Sequence, residues 1–406
     1  MIRFASVGVT GYAEAIIKNI RACASKLDCR LVAVCIRSQS SRPDVVRKYA
    51  AEGVQIFADA VEMLDALRGK VDAVIVPTSI SSHCEMTCAA LERGHNVYLE
   101  KPPAATIQEV DRMLEAVNRS GKICLLGFQM ISSDSINFIK SRVVSGALGT
   151  VKRLRFWACS PRYDNYYKRN TWAGKLKIDG AWVLDGPSNN ALAHYISNML
   201  YLASPVPRQF ARPASVRAEL YHGRDFESED TCAMEIRTAE GPTAYFATSH
   251  CAETAGGYVI TLECQKGSAV WQVGKGATIT YADGRSETGA DALPPNESAL
   301  THFVEALRAG DAGRLGCDLN MGRNFTLALN GAFESSGQAH PIPAKYLRRK
   351  PVDDGDAYTI IEGVDQAIIR CGEEGKLFSD QGVPWAVKTE PFDLTGYKHF
   401  PQRFRG

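Results

Sequence analysis

The sequence predicts an α/β protein in two parts, a doubly wound parallel sheet followed by an α+β domain whose sheet is mainly antiparallel. Three observations predict it. In the first ~150 residues short apolar runs alternate with segments of helical period, giving about six βα units. Beyond Val151 strand-length runs alternate apolar with polar residues and are broken by turns such as Ala239-Glu240-Gly241. The 406 residues suffice for more than one core.

The first strand, residues 2–7, ends at Gly8, and Ala13, Ile16, Ile17, Ile20 and Ala24 follow at helical spacing. Between them lies Gly8-Val9-Thr10-Gly11-Tyr12-Ala13, to be compared with the dinucleotide fingerprint G-x-G-x-x-G/A. Gly8 and Ala13 fit. Thr10 stands where a middle glycine would let the backbone approach a pyrophosphate, and Gly11 beside it keeps the loop pliable. The loop opens a helix whose N–H groups and dipole suit a phosphate, so Gly8, Thr10, Gly11, Tyr12 and Ala13 are candidate cofactor contacts. The second strand, residues 31–36, runs into Arg37-Ser38-Gln39-Ser40-Ser41-Arg42. An acid at this tip would bond the 2′-hydroxyl of NAD. None is present, and Arg37, Ser38 and Arg42 offer charge-assisted bonds to a 2′-phosphate, which favours NADP slightly over NAD.

Strands 55–58 and 73–76 and helix 61–67 extend the sheet. Thr78, Ser79 and His83 close the fourth strand with side chains able to approach a cofactor, and Ser82 is placed to cap the next helix. After helix 82–93 and strand 95–99 comes Glu100-Lys101-Pro102-Pro103. Lys101 thus emerges at the carboxyl end of a parallel strand, where open α/β sheets bind ligands, and reads as a proton handler or hydroxyl clamp. Helix 106–117, strand 123–127 and helix 136–144 complete this half, with Gln129 just past the last strand.

Composition narrows the partners. A 45% hydrophobic and 23% charged chain is that of an ordinary folded protein. Its 47 basic and 45 acidic residues, without long runs of either sign, argue against nucleic acid or a membrane as partner. The chain starts as a strand without a basic, apolar leader, and its twelve cysteines are scattered, so a cytoplasmic protein with reduced thiols is expected. His83, Cys84 and Cys88 lack a further ligand cluster, and no metal is expected.

The Gly8 loop, the turn from Thr78 to His83, Glu100-Lys101-Pro102, Gly127-Phe128-Gln129 and Gly146-Ala147-Leu148-Gly149 occur in the order seen in one family. Over nearly its whole length the chain resembles the glucose-fructose oxidoreductase, inositol dehydrogenase and MocA (Gfo/Idh/MocA) family. The resemblance implies a nicotinamide-dependent Rossmann domain, here residues 1–128, and an α+β substrate and oligomerisation domain, residues 129–345. The second domain is expected to carry an open antiparallel sheet with a sugar or cyclitol on its inner face, and to form a homodimer or homotetramer through that sheet. The resemblance also implies that Lys101 holds the reacting hydroxyl, that a cis bond precedes Pro102, and that Glu100 and Gln129 border the cofactor. Residues 346–406 exceed the family minimum and are expected to pack on the domains or on a neighbouring subunit. Within them Ile360, Ile361, Val364, Ala367 and Ile368 follow a helical pattern.

In the second half, strands at 151–159, 215–221, 231–237, 243–250, 258–264, 269–273 and 277–281 read as an antiparallel meander. Helices at 298–308 and 319–336 follow, which the resemblance places against the cofactor domain. Members of the family usually carry Asp-x-x-x-His on a helix beside the substrate carbon. Here His194 matches, Asn190 stands four residues before it, and Asp185 lies nine before it in an Asp-Gly-Pro loop. Upstream, residues 161–175 hold Arg162, Tyr166, Tyr167, Trp172 and Lys175, flat apolar faces and donors that suit a sugar and equally an oligomer contact.

Oxidising a secondary alcohol sends a hydride to the nicotinamide and a proton to a base. His194 is assigned as base and Lys101 as hydroxyl clamp or relay, with Asp185 and Asn190 positioning; Lys101 as the base itself stays open. Redox-assisted glycoside cleavage and a non-catalytic cofactor-binding sensor are the alternative functions.

Overall fold

The computed structural model describes residues 1–352 and 355–406, and the chain divides into two units. The first comprises Met1–Ala104, Glu109–Ser133 and Leu293–Arg323. Its strands β1 (Ile2–Ser6), β2 (Cys29–Cys35), β3 (Gln55–Phe57), β4 (Ala73–Val76), β5 (Asn96–Leu99) and β6 (Cys124–Leu126) form one parallel sheet in the order β3-β2-β1-β4-β5-β6. All four residues of β4 are buried, as a strand covered on both faces requires. Helices α1 (Tyr12–Leu27), α2 (Pro43–Ala51), α3 (Ala60–Ala66), α4 (Ile80–Glu92) and α5 (Ile107–Ser120) link successive strands. Chain order reverses between β1 and β4, so the loops leaving those strands border the crevice where such sheets take ligands. The apolar stripe of α1, Ile16, Ile17 and Ile20, packs with Phe4, Val34 and Ile75 of the sheet. The later helix Pro295–Ala309 joins this core through Phe303, whose ring stacks 6.1 Å from Phe4 and meets Tyr98 edge-on at 5.8 Å.

The second unit comprises Ala105–Gln108, Asp134–Ala292 and Asn324–Gly406. It opens with α6 (Asp134–Val144), β7 (Val151–Cys159), the short helix α7 (Asp164–Tyr167), a hairpin of β8 (Lys177–Ile178) and β9 (Ala181–Trp182), and α8 (Ala193–Ala203). Then follow β10 (Pro213–His222), β11 (Thr231–Thr238), β12 (Thr243–Ser249), β13 (Gly256–Cys264), β14 (Gly267–Gln272), β15 (Gly276–Tyr281) and β16 (Ser286–Gly289). The expected strands are present, yet the sheet is not a simple meander. Its order is β16-β15-β14-β13-β7-β12-β11-β10, with β7 antiparallel to β13 but parallel to β12. Local alternation reveals that a segment is a strand; it carries no information about which distant strand inserts beside it.

Both faces of the sheet centre are covered. On one face α8 lays Tyr195 on Phe156, rings 4.3 Å apart, and Phe156 stacks on Phe246 at 5.1 Å. On the other lies the C-terminal segment. Beyond α9 (Pro295–Ala309, described above) and α10 (Leu319–Ser336) come β17 (His340–Pro341), which pairs with β10, the antiparallel pair β18 (Leu347–Pro351) and β19 (Ala357–Ile361), and α11 (Val364–Glu374). Helix α11 buries Ala367, Ile368 and Cys371 against Cys159, Ala247 and the side of Trp157. The approach is close enough that a Cβ at Gly372 would lie 2.0 Å from the Trp157 ring. Alternation along β7 explains both contacts, since neighbouring Phe156 and Trp157 point to opposite faces.

The helical pattern expected from Ile360 to Ile368 spans two elements. Ile360 and Ile361 belong to β19, and Gly363, at φ 75°, turns the chain into α11. A strand end and a helix start brought their apolar residues into one apparent period. Most of α10 lies in the second unit, whereas α9 lies in the first. All twelve cysteines are buried free thiols, and no described helix is long and apolar enough to cross a membrane.

Candidate active site

In the first unit the loop from β1 to α1 is held by its glycines' backbone. Gly8 has φ 112° and Gly11 φ 65°, conformations strained for residues with a Cβ. A Cβ at either would meet nothing within 4 Å, so dihedral angle and not crowding demands glycine. Thr10 and Tyr12 are exposed, Ala13 is buried under the helix, and no side chain caps α1 at Gly11. An uncapped helix start behind an open, left-handed loop fits a dinucleotide pyrophosphate. At the end of β2, Arg37, Ser38 and Arg42 are all exposed. The loop is shaped by its own bonds, Ser41 Oγ donating to Ser38 O at 3.0 Å and Arg42 N to Gln39 O at 3.1 Å. Among the described residues neither arginine lies within ion-pair distance of a carboxylate.

Around Lys101 the side chains form a buried frame. The Lys101–Pro102 peptide is cis, as the resemblance implied. His83 sits beneath it with Nδ1 2.8 Å from Pro102 O and Nε2 3.0 Å from Thr78 O, and burial lowers its pKa. The neutral ring donates its single N–H to one of these two carbonyls and lies against the other, so His83 bridges the two loops. Ser79, not Ser82, stands at the N-cap of α4; Ser82 Oγ instead donates to Thr78 Oγ1 at 2.8 Å. Glu100 is 4% exposed and accepts from Gln129 Nε2 at 2.8 Å and from the Lys101 backbone N–H at 3.1 Å. Burial pushes its pKa up to about 8 against the opposing pull of Lys101. Gln129 also donates to Tyr98 Oη at 3.2 Å. A Cβ on Gly127 would lie 2.7 Å from Glu100 Oε1, which explains a glycine in Gly127-Phe128-Gln129. Glu100 and Gln129 therefore form the inner support of the Lys101 loop.

In the second unit Asp185, Asn190 and His194 occupy one continuous segment. Asp185, 3% exposed, accepts from Gly174 N at 2.9 Å and from Asn190 Nδ2 at 2.7 Å, and its own N–H donates to Lys175 O. The expected single helix through Asn190 and His194 is broken. Asn190 lies in a π-turn, Pro187–Ala191, and His194 is the second residue of α8 after Leu192, whose φ of −117° interrupts the helix. Pro187 starts the turn and the Asp185 carboxylate ties it down, so the departure from Asp-x-x-x-His is a change of backbone as well as of residue.

Sequence reading missed the group that seats this turn, Glu229. Its buried carboxylate accepts from Ser188 N at 3.3 Å, Ser188 Oγ at 2.5 Å and Ser228 Oγ at 2.8 Å, and burial pushes its pKa up to about 7. A Cβ on Gly186 would lie 2.2 Å from Glu229 Oε1. The only signal was an acidic run, Glu227-Ser228-Glu229-Asp230, which reads as a solvated turn.

The aromatic stretch divides. Tyr166, on α7, lies under the Arg169 guanidinium at 3.7 Å, and the same cation is 5.4 Å from Trp172. Tyr167 turns inward, its hydroxyl 2.6 Å from His250 Nδ1 and its ring 4.4 Å from Phe226. Arg162 and Trp172 are half-buried, and Lys175 is exposed. His250 and Arg224, beneath this stretch, are further polar residues that sequence reading did not single out.

Residues 2–128 match the family described as "Oxidoreductase family, NAD-binding Rossmann fold", GFO_IDH_MocA. The chain is similar to D-glucoside 3-dehydrogenase of Escherichia coli (strain K12), 31% identical over 30% of this chain and 34% of that protein. It is also similar to inositol 2-dehydrogenase of Azotobacter vinelandii, 29% identical over 51% of this chain and 59% of that one. The chain thus spans between about a third and three-fifths of these curated relatives. In fold it is similar to the WlbA dehydrogenase from Bordetella pertussis in complex with NADH and UDP-GlcNAcA, with a TM-score of 0.67, 22% identity and coverage of 82% of this chain and 96% of that one. The six-stranded parallel sheet and the glycine loop thus lie in the segment, residues 2–128, that matches the NAD-binding Rossmann domain of the Gfo/Idh/MocA oxidoreductase family.

Proposed function

We propose that this protein is an NAD(P)-dependent oxidoreductase that moves a hydride between a nicotinamide cofactor and a secondary hydroxyl or ketone of a sugar, cyclitol or glycoside. The observation that carries the reading is the uncapped start of α1 behind the Gly8–Gly11 loop, within the segment that matches the NAD-binding family. Gly8, Thr10, Gly11, Tyr12 and Ala13 would hold the pyrophosphate, and Arg37, Ser38 and Arg42 the adenosine ribose. When bound, the nicotinamide supplies the hydride acceptor or donor. Lys101 holds the substrate hydroxyl and its charge favours the developing alkoxide. His194 accepts the proton while neutral, and the Asp185–Asn190 pair fixes the turn that leads into its helix. Residues 1–128 serve as the cofactor domain, 129–345 as the substrate and oligomerisation domain, and 346–406 as its extension. A cytoplasmic location suits twelve reduced thiols, and assembly as a homodimer or homotetramer would use the sheet surface that α11 leaves uncovered. The test is incubation with NADP or NAD and a panel of sugars, cyclitols and glycosides. Net formation of reduced nicotinamide supports the proposal; sugar release with only catalytic cofactor, or no turnover on any, refutes it.

Two expected results sharpen it. NADP should bind at least as tightly as NAD by calorimetric titration. Arg37→Ala should weaken NADP selectively by ~1.5–3 kcal/mol, the scale of a hydrogen bond to a charged group. Tighter NAD in the parent protein would remove the 2′-phosphate role. Trp172→Ala should raise KM for the sugar far more than it changes melting temperature or cofactor affinity. An unchanged KM with a smaller assembly in light scattering would assign this stretch to a subunit contact.

A further inference from the structure

Among the described residues beneath the aromatic stretch, most arginines lie within ion-pair distance of a carboxylate. Arg224 is matched by Asp230 at 3.6 Å and Asp164 at 3.8 Å, and Arg349 pairs with Asp164 as well. Arg169 lies 3.8 Å from Asp185, but that carboxylate is already engaged by Gly174 N and Asn190 Nδ2. Arg162 differs from all of these. Its guanidinium lies 5.2 Å from the Tyr166 ring, donates to Pro161 O at 3.3 Å and bonds the Tyr166 hydroxyl. Among the described residues no carboxylate comes within ion-pair distance of it.

His250 provides an independent sign of a missing acceptor. It is 1% exposed, and its Nε2 has no hydrogen-bond partner among the described residues. Burial and the nearby Arg162, Arg224 and Arg169 hold its pKa well below the ordinary value, so the ring is neutral. If Nδ1 donated to Tyr167, the hydroxyl proton of Tyr167 would also lose its partner. With Tyr167 donating to Nδ1, the proton lies on Nε2, and one buried N–H is left without an acceptor. Such a group is unfavourable until an oxygen meets it. A guanidinium with no carboxylate and an N–H with no acceptor among the described residues, beside the same aromatic faces, suit one kind of ligand group, an oxyanion.

We infer that the substrate is an acidic sugar, whose carboxylate or phosphate is bound by Arg162 with His250 as a second donor, while Tyr166 and Trp172 flank the ring. This rests on the sugar-oxidoreductase reading and narrows its substrate class. Arg162 is then the residue that separates acidic from neutral sugars, because guanidinium meets an oxyanion with two parallel bonds and has no such match to a hydroxyl.

The test measures binding without turnover, by calorimetry on the cofactor-loaded full chain, with D-glucuronate, D-glucose 6-phosphate and D-glucose as probes. At least one anionic probe should bind tenfold or more tighter than D-glucose, and which one does so tells carboxylate from phosphate. Arg162→Gln should abolish that preference, bringing the affinity of the anionic probe to that of D-glucose, and Arg162→Lys should restore part of it. Melting temperatures of both variants, equal to that of the parent, show that the fold is kept. No preference for either anion, including no measurable binding of any probe, overturns the inference, as does a preference that survives Arg162→Gln. Anion preference without hydride transfer on any sugar would refute the oxidoreductase reading alone, whereas turnover of neutral sugars indifferent to Arg162 would refute the acidic-sugar inference alone.

Discussion

Lys101→Ala is expected to abolish nearly all turnover while leaving cofactor affinity within about threefold, a difference under ~0.7 kcal/mol. The frame around the residue supports this split. Glu100 is buried, and burial raises its pKa to about 8. A lysine charge at this position would favour a developing alkoxide. Backbone bonds, His83 to Pro102 O and Lys101 N to Glu100, shape the loop and do not depend on the lysine side chain. Truncation should remove the charge and spare the fold. His194→Ala supplies the complementary measurement: it should lower kcat and remove the acid limb of kcat/KM for alcohol oxidation, because a protonated imidazole cannot accept the substrate proton. Near-normal turnover in Lys101→Ala would refute the clamp role, and an acid limb that persists in His194→Ala would move the base to Lys101 or Asp185.

Gly186→Ala is expected to damage the substrate side severely. The added methyl would lie 2.2–2.5 Å from the Glu229 carboxyl atoms, and these are fixed by Ser188 and Ser228 with no room to retreat. Overpacking of this kind costs ~1–3 kcal/mol, and here it would also shift the turn carrying Asp185 and Asn190. A fall in melting temperature together with a kcat loss larger than the change in cofactor affinity is the expected pattern; a variant with parental stability and kcat would show that the turn tolerates the shift. Glu229 adds a pH signature. Its folded pKa, about 7, lies above the ordinary carboxyl value, so the native state holds its proton more tightly than the unfolded chain does. The stability this contributes is fully present below the unfolded pKa and is lost as pH rises through about 7. Glu229→Gln, which cannot ionise, should flatten that part of the stability profile; a decline equal to the parent's would place its origin elsewhere.

Much of the fold was legible because helix and strand periods are local. The run Ala73–Val76, the strand Val151–Cys159 and the helix Leu319–Ser336 coincide with their apolar patterns. Local reading failed where two elements abut, as at Ile360 to Ile368, and where a proline-led π-turn interrupts a helical spacing, as at Asn190 to His194. The residues of the Lys101 frame were visible as Glu100, Gln129 and His83, but their bonds to one another were not.

By itself the sequence determined the class of protein: periodicity dictates a doubly wound sheet followed by a second sheet, glycines mark where the backbone must turn left-handed, and the loop just after β2 carries cations and no acid. Those properties depend on residues close together in the chain. Only tertiary structure decided that β7 inserts between β12 and β13, that α11 covers the sheet the chain itself made, and that Glu229 lies under Gly186. It also decided that, among the described residues, Arg162 has no carboxylate partner and His250 Nε2 no acceptor. Each of these is a contact between residues far apart in sequence, set by which surfaces can be buried together, and no local pattern encodes it.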